Sequence, residues 1–181
     1  MSSTRPPGSA SFSASLASLV SKVLPAILHS KHAAGILHEA SRHLLRRPVV
    51  GVAAAARTRD GRWLLIRRGD TGTWALPGGT LEWGETLPVG LAREMLEEAG
   101  VDRLDVVRVV GVYSRPDRDP RFHAVTIVVE CTVEEPRLAP KNPMEIREVG
   151  LFEENELPAS LAMGMDDMLR DARRNSPTVF E

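Results

Sequence analysis

The spacing of hydrophobic residues changes about a quarter of the way along this chain of 181 residues. In the first part, apolar residues recur at helical spacing over residues 16–28 and 33–45. The residues before them are rich in Ser, Pro and Gly, a composition that does not support a packed core. We therefore predict a mobile tail and a helical arm over residues 1–48, followed by a folded domain over residues 49–181.

Within the folded domain, short apolar runs alternate with turn residues, as is typical of β-strands. The run from Val49 to Ala56 is continuously apolar, which predicts a strand buried on both faces of a sheet. Asp60 and Gly61 then mark a tight turn into a partner strand. The other predicted elements are strands over Trp63–Arg68, Asp105–Ser114, Phe122–Thr132 and Val149–Phe152 and a closing helix over Met163–Arg174.

One further helix is predicted between Thr86 and Gly100. Thr86 is a suitable N-cap, Pro88 fits the first turn, and Gly100 can end the helix. At about 100° per residue, one face of this helix carries four apolar side chains: Val89, Ala92, Leu96 and Ala99. We expect that face to pack on the sheet, with the carboxylates of the helix nearly opposite.

The same helix carries Glu94, Glu97 and Glu98 at positions i, i+3 and i+4. That spacing places their Cβ atoms roughly 5–6 Å apart. Like charges at this distance repel one another, and one carboxyl would protonate unless a cation lay among them. A solvated acidic surface is the alternative interpretation. The spacing by itself therefore leaves both a cation site and a solvent-facing cluster open.

These glutamates belong to a longer motif from Gly79 to Val101, with the sequence GTLEWGETLPVGLAREMLEEAGV. Its glycines, its arginine and its spaced glutamates stand in the order of the Nudix box, so the chain resembles the Nudix hydrolase family. The resemblance implies an α/β/α sandwich with a mixed sheet, here preceded by the N-terminal helical arm. It also implies metal-dependent attack of water on a nucleoside diphosphate linked to another group.

The resemblance further implies roles for individual residues. The expected metal ligands are the backbone carbonyl of Gly78 and the side chains of Glu94, Glu97 and Glu98. The expected cofactor is Mg²⁺ or Mn²⁺. Arg93, which we count among the catalytic residues, is expected to brace the loop and the helix together with Glu85.

Attack on a diphosphate also requires a group that takes the proton of the attacking water. In the family that the chain resembles, this base is either a glutamate of the box or one from a later loop. Glu97 is the candidate within the box. Glu145, in the loop Pro140–Glu145, is the candidate beyond it. Glu148 competes with Glu145, and each of these two could instead be a surface charge.

Arginine side chains are the candidates for substrate contacts, because a guanidinium binds phosphate through two hydrogen bonds at once. Arg67 and Arg68 end a predicted strand, where one could reach a phosphate or both could be solvated. Three more arginines lie in the polar loop SRPDRDPR, residues 114–121. These are Arg115, Arg118 and Arg121, and they could equally keep an exposed loop soluble.

The loop at residues 114–121 resembles that of small ADP-ribose pyrophosphatases. Pro116 stands in it, beyond the box, as a proline does in those relatives. We therefore expect ADP-ribose or another nucleotide sugar as the substrate. A MutT-like hydrolase of damaged nucleoside triphosphates is the alternative. A ligand-sensing regulator is a further alternative, which the intact box disfavours.

Charge and composition restrict the partners. The net charge is −1, which argues against a protein built to hold a nucleic-acid backbone. Cys131 is the single cysteine and lies in an apolar run, so we expect a buried thiol, no intrachain disulfide and a cytoplasmic location. No run of about 18 apolar residues is present, so no membrane span is predicted. The expected partner is a small nucleotide, and the amphipathic arm could support a homodimer.

Overall fold

The computed structural model of the protein describes Gly35 and residues 47–134 and 137–181. The chain divides into two compact units, residues 1–47 and residues 48–181. The predicted tail and helical arm lie almost entirely outside the described residues, so the arm stays a prediction. No helix in the described part of the chain is long and apolar enough to cross a membrane.

A mixed sheet of eight strands forms the centre of the second unit. Its strands are β1 (Val49–Thr58), β2 (Trp63–Arg68), β3 (Trp74–Ala75), β4 (Gly78–Thr80), β5 (Leu104–Tyr113), β6 (Ala124–Val133), β7 (Ile146–Phe152) and β8 (Val179–Phe180). The order is β3-β2-β1-β6-β5-β8, with β4 paired to β1 and β7 paired to β2. β1 and β6 run parallel along their whole length, whereas β5 and β6 are antiparallel.

Two helices cover the two faces of this sheet. They are α1 (Leu87–Ala99) and α2 (Met165–Arg173), the second preceded by a 3-10 turn over Ala162–Gly164. Alternate residues of β1 point to opposite sides: Val52 and Ala54 share a core with α1, and Ala53 and Ala55 share a core with α2. The predicted strand buried on both faces and the predicted α/β/α sandwich are therefore confirmed.

The packing face of α1 differs from the prediction. The buried residues are Gly90, Leu91, Met95, Glu98 and Ala99. Val89 is instead 56% exposed, so the predicted apolar face was wrong by about one residue of helical rotation, roughly 100°. The large apolar side chains of Leu91 and Met95 take the buried face. Glu98 is tolerated beside them because its carboxylate accepts a 2.7 Å hydrogen bond from the Gly78 N–H.

The ends of the elements also refine the prediction. Thr86 is the N-cap residue of α1 but makes no capping hydrogen bond, and Gly100 ends the helix with φ 66°. The closing helix begins at Met165 rather than at Met163, because Met163 and Gly164 adopt left-handed backbone conformations. β8 was not predicted, since two residues are too few for a periodic pattern. Cys131 is buried, as predicted, and burial raises the pKa of its thiol to about 12.

Candidate active site

A cavity lies where the box helix, the β3–β4 segment and the loops after β5 and β6 meet. Two kinds of residue line it. The first is a carboxylate group made of Glu94, Glu98 and Glu145 beside Gly78 and Gly79. The second is a mixed wall made of Arg118, Asp119, Arg121, Phe122, Met163, Met165 and Met168. A neighbouring cleft shares the three glutamates and adds Glu97, Lys141 and Asn142.

Glu98 is the most buried of the three glutamates that line the cavity. Only 6% of the residue is exposed, and burial raises its pKa to about 8. The charges of Glu94 and Glu145 act in the same direction, whereas the hydrogen bond from the Gly78 N–H opposes them. A cation among these groups would favour the ionised form and reverse this shift.

The backbone at residues 78–79 approaches the carboxylates closely. Gly78 has φ 150°, and a Cβ there would lie 2.2 Å from the Val52 carbonyl oxygen. A Cβ on Gly79 would lie 2.3 Å from Oε1 of Glu94. Burial also raises the pKa of Glu94. The two glycines therefore let a strand and an acidic helix face share one small space.

Arg93 joins the loop of the box to its helix. Its guanidinium donates two hydrogen bonds to Glu85, at 2.8 and 3.0 Å, and one to the Thr80 carbonyl at 3.1 Å. A further bond of 2.9 Å reaches Glu94. The bonds from Arg93 lower the pKa of Glu85 to about 2. Arg93 thus orients one cavity carboxylate while fixing the turn that precedes the helix.

Glu97 is placed differently from the other two box glutamates. Its side chain is 40% exposed and pairs with Lys141 at 3.2 Å and with Arg93 at 3.4 Å. The backbone N–H of Lys141 also donates to the Glu97 carbonyl at 2.7 Å. Glu97 therefore lines the neighbouring cleft, beside the loop that carries Glu145.

Glu145 lines the cavity and Glu148 does not. The carbonyl of Glu145 accepts a 2.6 Å hydrogen bond from the Gly69 N–H, which ties its loop to the end of β2. A Cβ on Gly69 would lie 2.1 Å from the Met144 carbonyl oxygen, so this contact requires glycine. Glu148 instead faces Arg67 across the β2–β7 pair, at 3.4 Å. Of the two competing candidates, Glu145 has the position a base would need.

The predicted substrate arginines fall in different places. Arg67 bonds the Gly72 carbonyl and does not line the cavity, whereas its neighbour Arg68 does, held by Asp70. Arg115 is exposed and also lies outside the cavity lining. Arg121 lines the cavity, bonded to Asp119 and lying over the Phe122 ring at 5.2 Å.

Arg118 lines the cavity but is occupied by protein groups. Its side chain is 6% exposed, and it bonds Asp167, Glu181 and the Gly164 carbonyl. The apolar residues of the mixed wall were not predicted, because Phe122 and the three methionines carry no motif. The β5–β6 loop supplies Phe122, and the methionines come from the 3-10 turn and α2.

The carboxylate group fits a hard divalent cation by its chemistry. Among residues 47–134 and 137–181, no three acidic, thiol or imidazole groups converge at metal-ligand spacing. Glu94, Glu98 and Glu145 nevertheless line one cavity, and burial together with mutual repulsion raises the pKa of the first two. Clustered carboxylate oxygens are the donors that Mg²⁺ prefers, and Mn²⁺ accepts the same donors.

Comparison with known proteins identifies the family of the chain. The model of the NUDIX domain family matches residues 46–172. The MutT-like protein of Streptomyces ambofaciens is 46% identical over 82 residues, which are 45% of this chain and 50% of that relative. The ADP-ribose pyrophosphatase of Methanocaldococcus jannaschii is 39% identical over 119 residues, 64% of this chain and 68% of the relative.

Solved structures show the same architecture. An ADP-ribose pyrophosphatase from Streptococcus suis superposes with a TM-score of 0.62 at 25% identity, covering 75% of this chain and 100% of that one. The fold and the site together define an α/β/α protein with a carboxylate-lined cavity beside a box helix. The chain belongs to the NUDIX family, and it is a pyrophosphohydrolase of that family.

Proposed function

We propose that this protein hydrolyses the diphosphate linkage of a nucleotide sugar, with ADP-ribose as the first candidate. The observation that carries the proposal is that Glu94, Glu98 and Glu145 line one cavity together with the mixed wall, which includes an aromatic ring and three methionines. A nucleotide sugar needs both environments: carboxylates near its charged diphosphate, and apolar groups near the nucleoside or the sugar. Two similar proteins, from M. jannaschii and S. suis, are ADP-ribose pyrophosphatases, which supports this substrate class.

Mg²⁺ or Mn²⁺ is the proposed cofactor. Glu94 and Glu98 would hold it with the Gly78 carbonyl, and Glu97 would join them on turning away from Arg93 and Lys141. When bound, such a cation neutralises phosphate oxygens and lowers the pKa of an attacking water. The hydrogen bond from Arg93 to Glu94 fixes the orientation of that carboxylate before substrate arrives.

Glu145 is the proposed general base. It lines the same cavity as Glu94 and Glu98 and is carried by a loop anchored at Gly69. A carboxylate there takes the proton of the water as the phosphorus–oxygen bond forms. Glu97 is the alternative base within the box. Arg68 and Arg121 line the cavity and are the proposed contacts to substrate phosphate or ribose oxygens.

The apolar part of the mixed wall is proposed to bind the part of the substrate that lies away from the carboxylates. Phe122, Met163, Met165 and Met168 present an aromatic ring and flexible thioethers to the cavity. Such groups pack against flat or irregular ligand surfaces and exclude water from the reacting linkage. The proposal also includes a cytoplasmic location and a homodimer formed through the helical arm.

A MutT-like triphosphate hydrolase is the second candidate. The observation in its favour is the MutT-like relative from S. ambofaciens, which is 46% identical over the 82 matched residues. The two candidates share the carboxylates and differ in what the remaining wall binds. Their products therefore distinguish them.

The deciding experiment is a substrate panel in the presence of Mg²⁺. It comprises ADP-ribose, other nucleotide sugars, dinucleoside polyphosphates, ordinary nucleoside triphosphates and oxidised ones, with products resolved by chromatography. We expect the highest kcat/KM for a nucleotide sugar, with ADP-ribose giving AMP and ribose 5-phosphate. Preference for an oxidised triphosphate, with release of pyrophosphate and no cleavage of nucleotide sugars, would overturn the proposal and leave the carboxylate site intact.

A further inference from the structure

All five N–H donors of the Arg118 guanidinium bond acceptors within the protein. Nε and one N–H of Nη2 bond the two carboxylate oxygens of Glu181, at 3.1 and 2.5 Å. The second N–H of Nη2 and one of Nη1 bond the two oxygens of Asp167, at 2.7 and 2.9 Å. The last N–H bonds the Gly164 carbonyl at 2.8 Å. Since an arginine has five such donors, none is left for a phosphate.

The guanidinium of Arg118 is already paired with carboxylates. It bonds both Asp167 and Glu181, and Arg115 also lies 3.8 Å from Glu181. The bonds to Arg118 lower the pKa of Glu181 to about 2, which keeps that carboxylate ionised at neutral pH. A phosphate entering here would have to displace a carboxylate from a side chain that is 6% exposed. Replacing a buried two-point bond in this way is costly.

The three partners come from segments that build one wall of the cavity. Arg118 lies in the loop at residues 114–121, which also supplies Asp119 and Arg121 to the lining. Asp167 lies in the first turn of α2, two residues after Met165, and Gly164 follows Met163. The side chain of Glu181 also accepts hydrogen bonds from two backbone N–H groups of the loop, at 2.8 and 3.0 Å.

The backbone of the wall bends at Met163, close to a second anchor in which Asp166 accepts the Leu161 N–H at 2.8 Å. Met163 sits in a left-handed conformation, with φ 55°, between the 3-10 turn and α2. Such a conformation is unfavourable for methionine and persists only where the surroundings impose it. The bond from Arg118 to the Gly164 carbonyl is placed directly after this residue.

We propose that Arg118, Asp167 and Glu181 form an ionic clamp. The clamp positions the methionine wall, which is the part of the cavity lining made by Met163, Met165 and Met168. It thereby sets the affinity for the part of the substrate that is remote from the carboxylates. Arg118 is then a positioning residue rather than a phosphate ligand. This inference rests on the proposed function, from which it takes ADP-ribose as the substrate.

Two variants separate the clamp from a phosphate-binding role. Glu181→Gln removes a carboxylate and leaves Arg118 in place. A clamp predicts a KM for ADP-ribose raised about three- to tenfold, with kcat changed by less than about twofold, because the carboxylate end of the cavity is untouched. A phosphate ligand predicts the opposite sign, since freeing the guanidinium would lower KM. Asp117→Asn removes a carboxylate from an exposed position of the same loop and is the matched control.

Arg118→Lys provides the second arm. Lysine keeps the charge but cannot bond two carboxylates through paired N–H groups. The clamp predicts that Arg118→Lys raises KM as much as Glu181→Gln does, and that the double variant is no worse than either single one. Additive effects, or a lowered KM in Glu181→Gln, would overturn the clamp.

Hydrogen exchange tests the clamp even if the substrate assignment fails. In the metal-free protein, Glu181→Gln should speed amide exchange at residues 162–168 by about three- to tenfold relative to Asp117→Asn, with no change in α1. Unaltered exchange at residues 162–168 would overturn the clamp whichever substrate is cleaved. Faster exchange without turnover of any nucleotide sugar would support the clamp and overturn the proposed function.

Discussion

Glu98 illustrates how a single acidic residue can be buried on the packing face of a helix. One of its oxygens accepts the Gly78 N–H at 2.7 Å, and the residue sits beside Ala99 in the buried face of α1. Without a cation, burial opposes its ionisation and raises its pKa to about 8. The position is therefore a poor choice for stability alone and a suitable one for a cation ligand.

Glu98→Gln tests that interpretation at the scale of one residue. The amide keeps the size of the side chain and an oxygen that accepts the Gly78 N–H, so the free energy of unfolding without metal should not fall. Turnover in Mg²⁺ should fall by about 100-fold or more, because a charged ligand is lost. Steady-state kinetics and thermal unfolding measure the two effects.

Glu82→Gln is the matched control for this variant, since Glu82 lies in the same box but is exposed. It should retain turnover within about twofold, as surface substitutions usually do. A folded Glu98→Gln protein with the turnover of the unaltered chain would contradict the assignment of the cation site. So would full activity of the unaltered chain in excess chelator.

At the scale of elements, the loop that carries Glu145 depends on one glycine at the end of β2. The Gly69 N–H bonds the Glu145 carbonyl at 2.6 Å, and the backbone of Met144 passes where a Cβ would be. Lys141 attaches the same loop to the end of α1 through the Glu97 carbonyl. A strand and a helix thus hold the candidate base from two sides.

Gly69→Ala should displace this loop and lower kcat by about tenfold, with less effect on KM, because misplacing a catalytic group by a small distance costs rate. Glu145→Gln should lower kcat by about 100-fold or more, the usual contribution of a general base. If the glycine acts through Glu145, the double variant should be no slower than Glu145→Gln. Kinetics of the three variants measure this coupling, and a Glu145→Gln protein with unaltered turnover would eliminate Glu145 as the base.

At the scale of the whole molecule, every described residue that lines the cavity belongs to the second compact unit. The lining residues fall between Val49 and Met168, and residues 48–181 contain both hydrophobic cores of the described chain. The family model likewise begins at residue 46. We therefore predict that the chemistry needs no residue from the predicted arm.

A chain beginning at Arg47 should fold and keep kcat/KM within about threefold of the full chain, because its core and its cavity remain complete. Its oligomeric state should shift toward monomer if the amphipathic arm forms the predicted dimer contact. Circular dichroism, light scattering and kinetics provide the three readouts. A folded but inactive truncated protein would show that the arm helps to build the site.

Local sequence determined much of this protein. The turn at Asp60 and Gly61, the buried strand at Val49 and the helix between Thr86 and Gly100 follow from short-range preferences that tertiary packing did not override. The box glutamates were located by their spacing, which one helix fixes by itself. The family likeness of the chain was present in those 23 residues, 79–101.

The tertiary structure decided what spacing leaves open. Periodicity placed Glu98 opposite the core, but the folded helix buries it, with its carboxylate bonded to the Gly78 N–H. Charge marked Arg118 as a phosphate contact, but Asp167 and Glu181, 49 and 63 residues away in sequence, occupy its donors. The methionine wall carries no motif at all. Each of these depends on contacts between distant segments, and a local pattern contains no information about which segments the fold brings together.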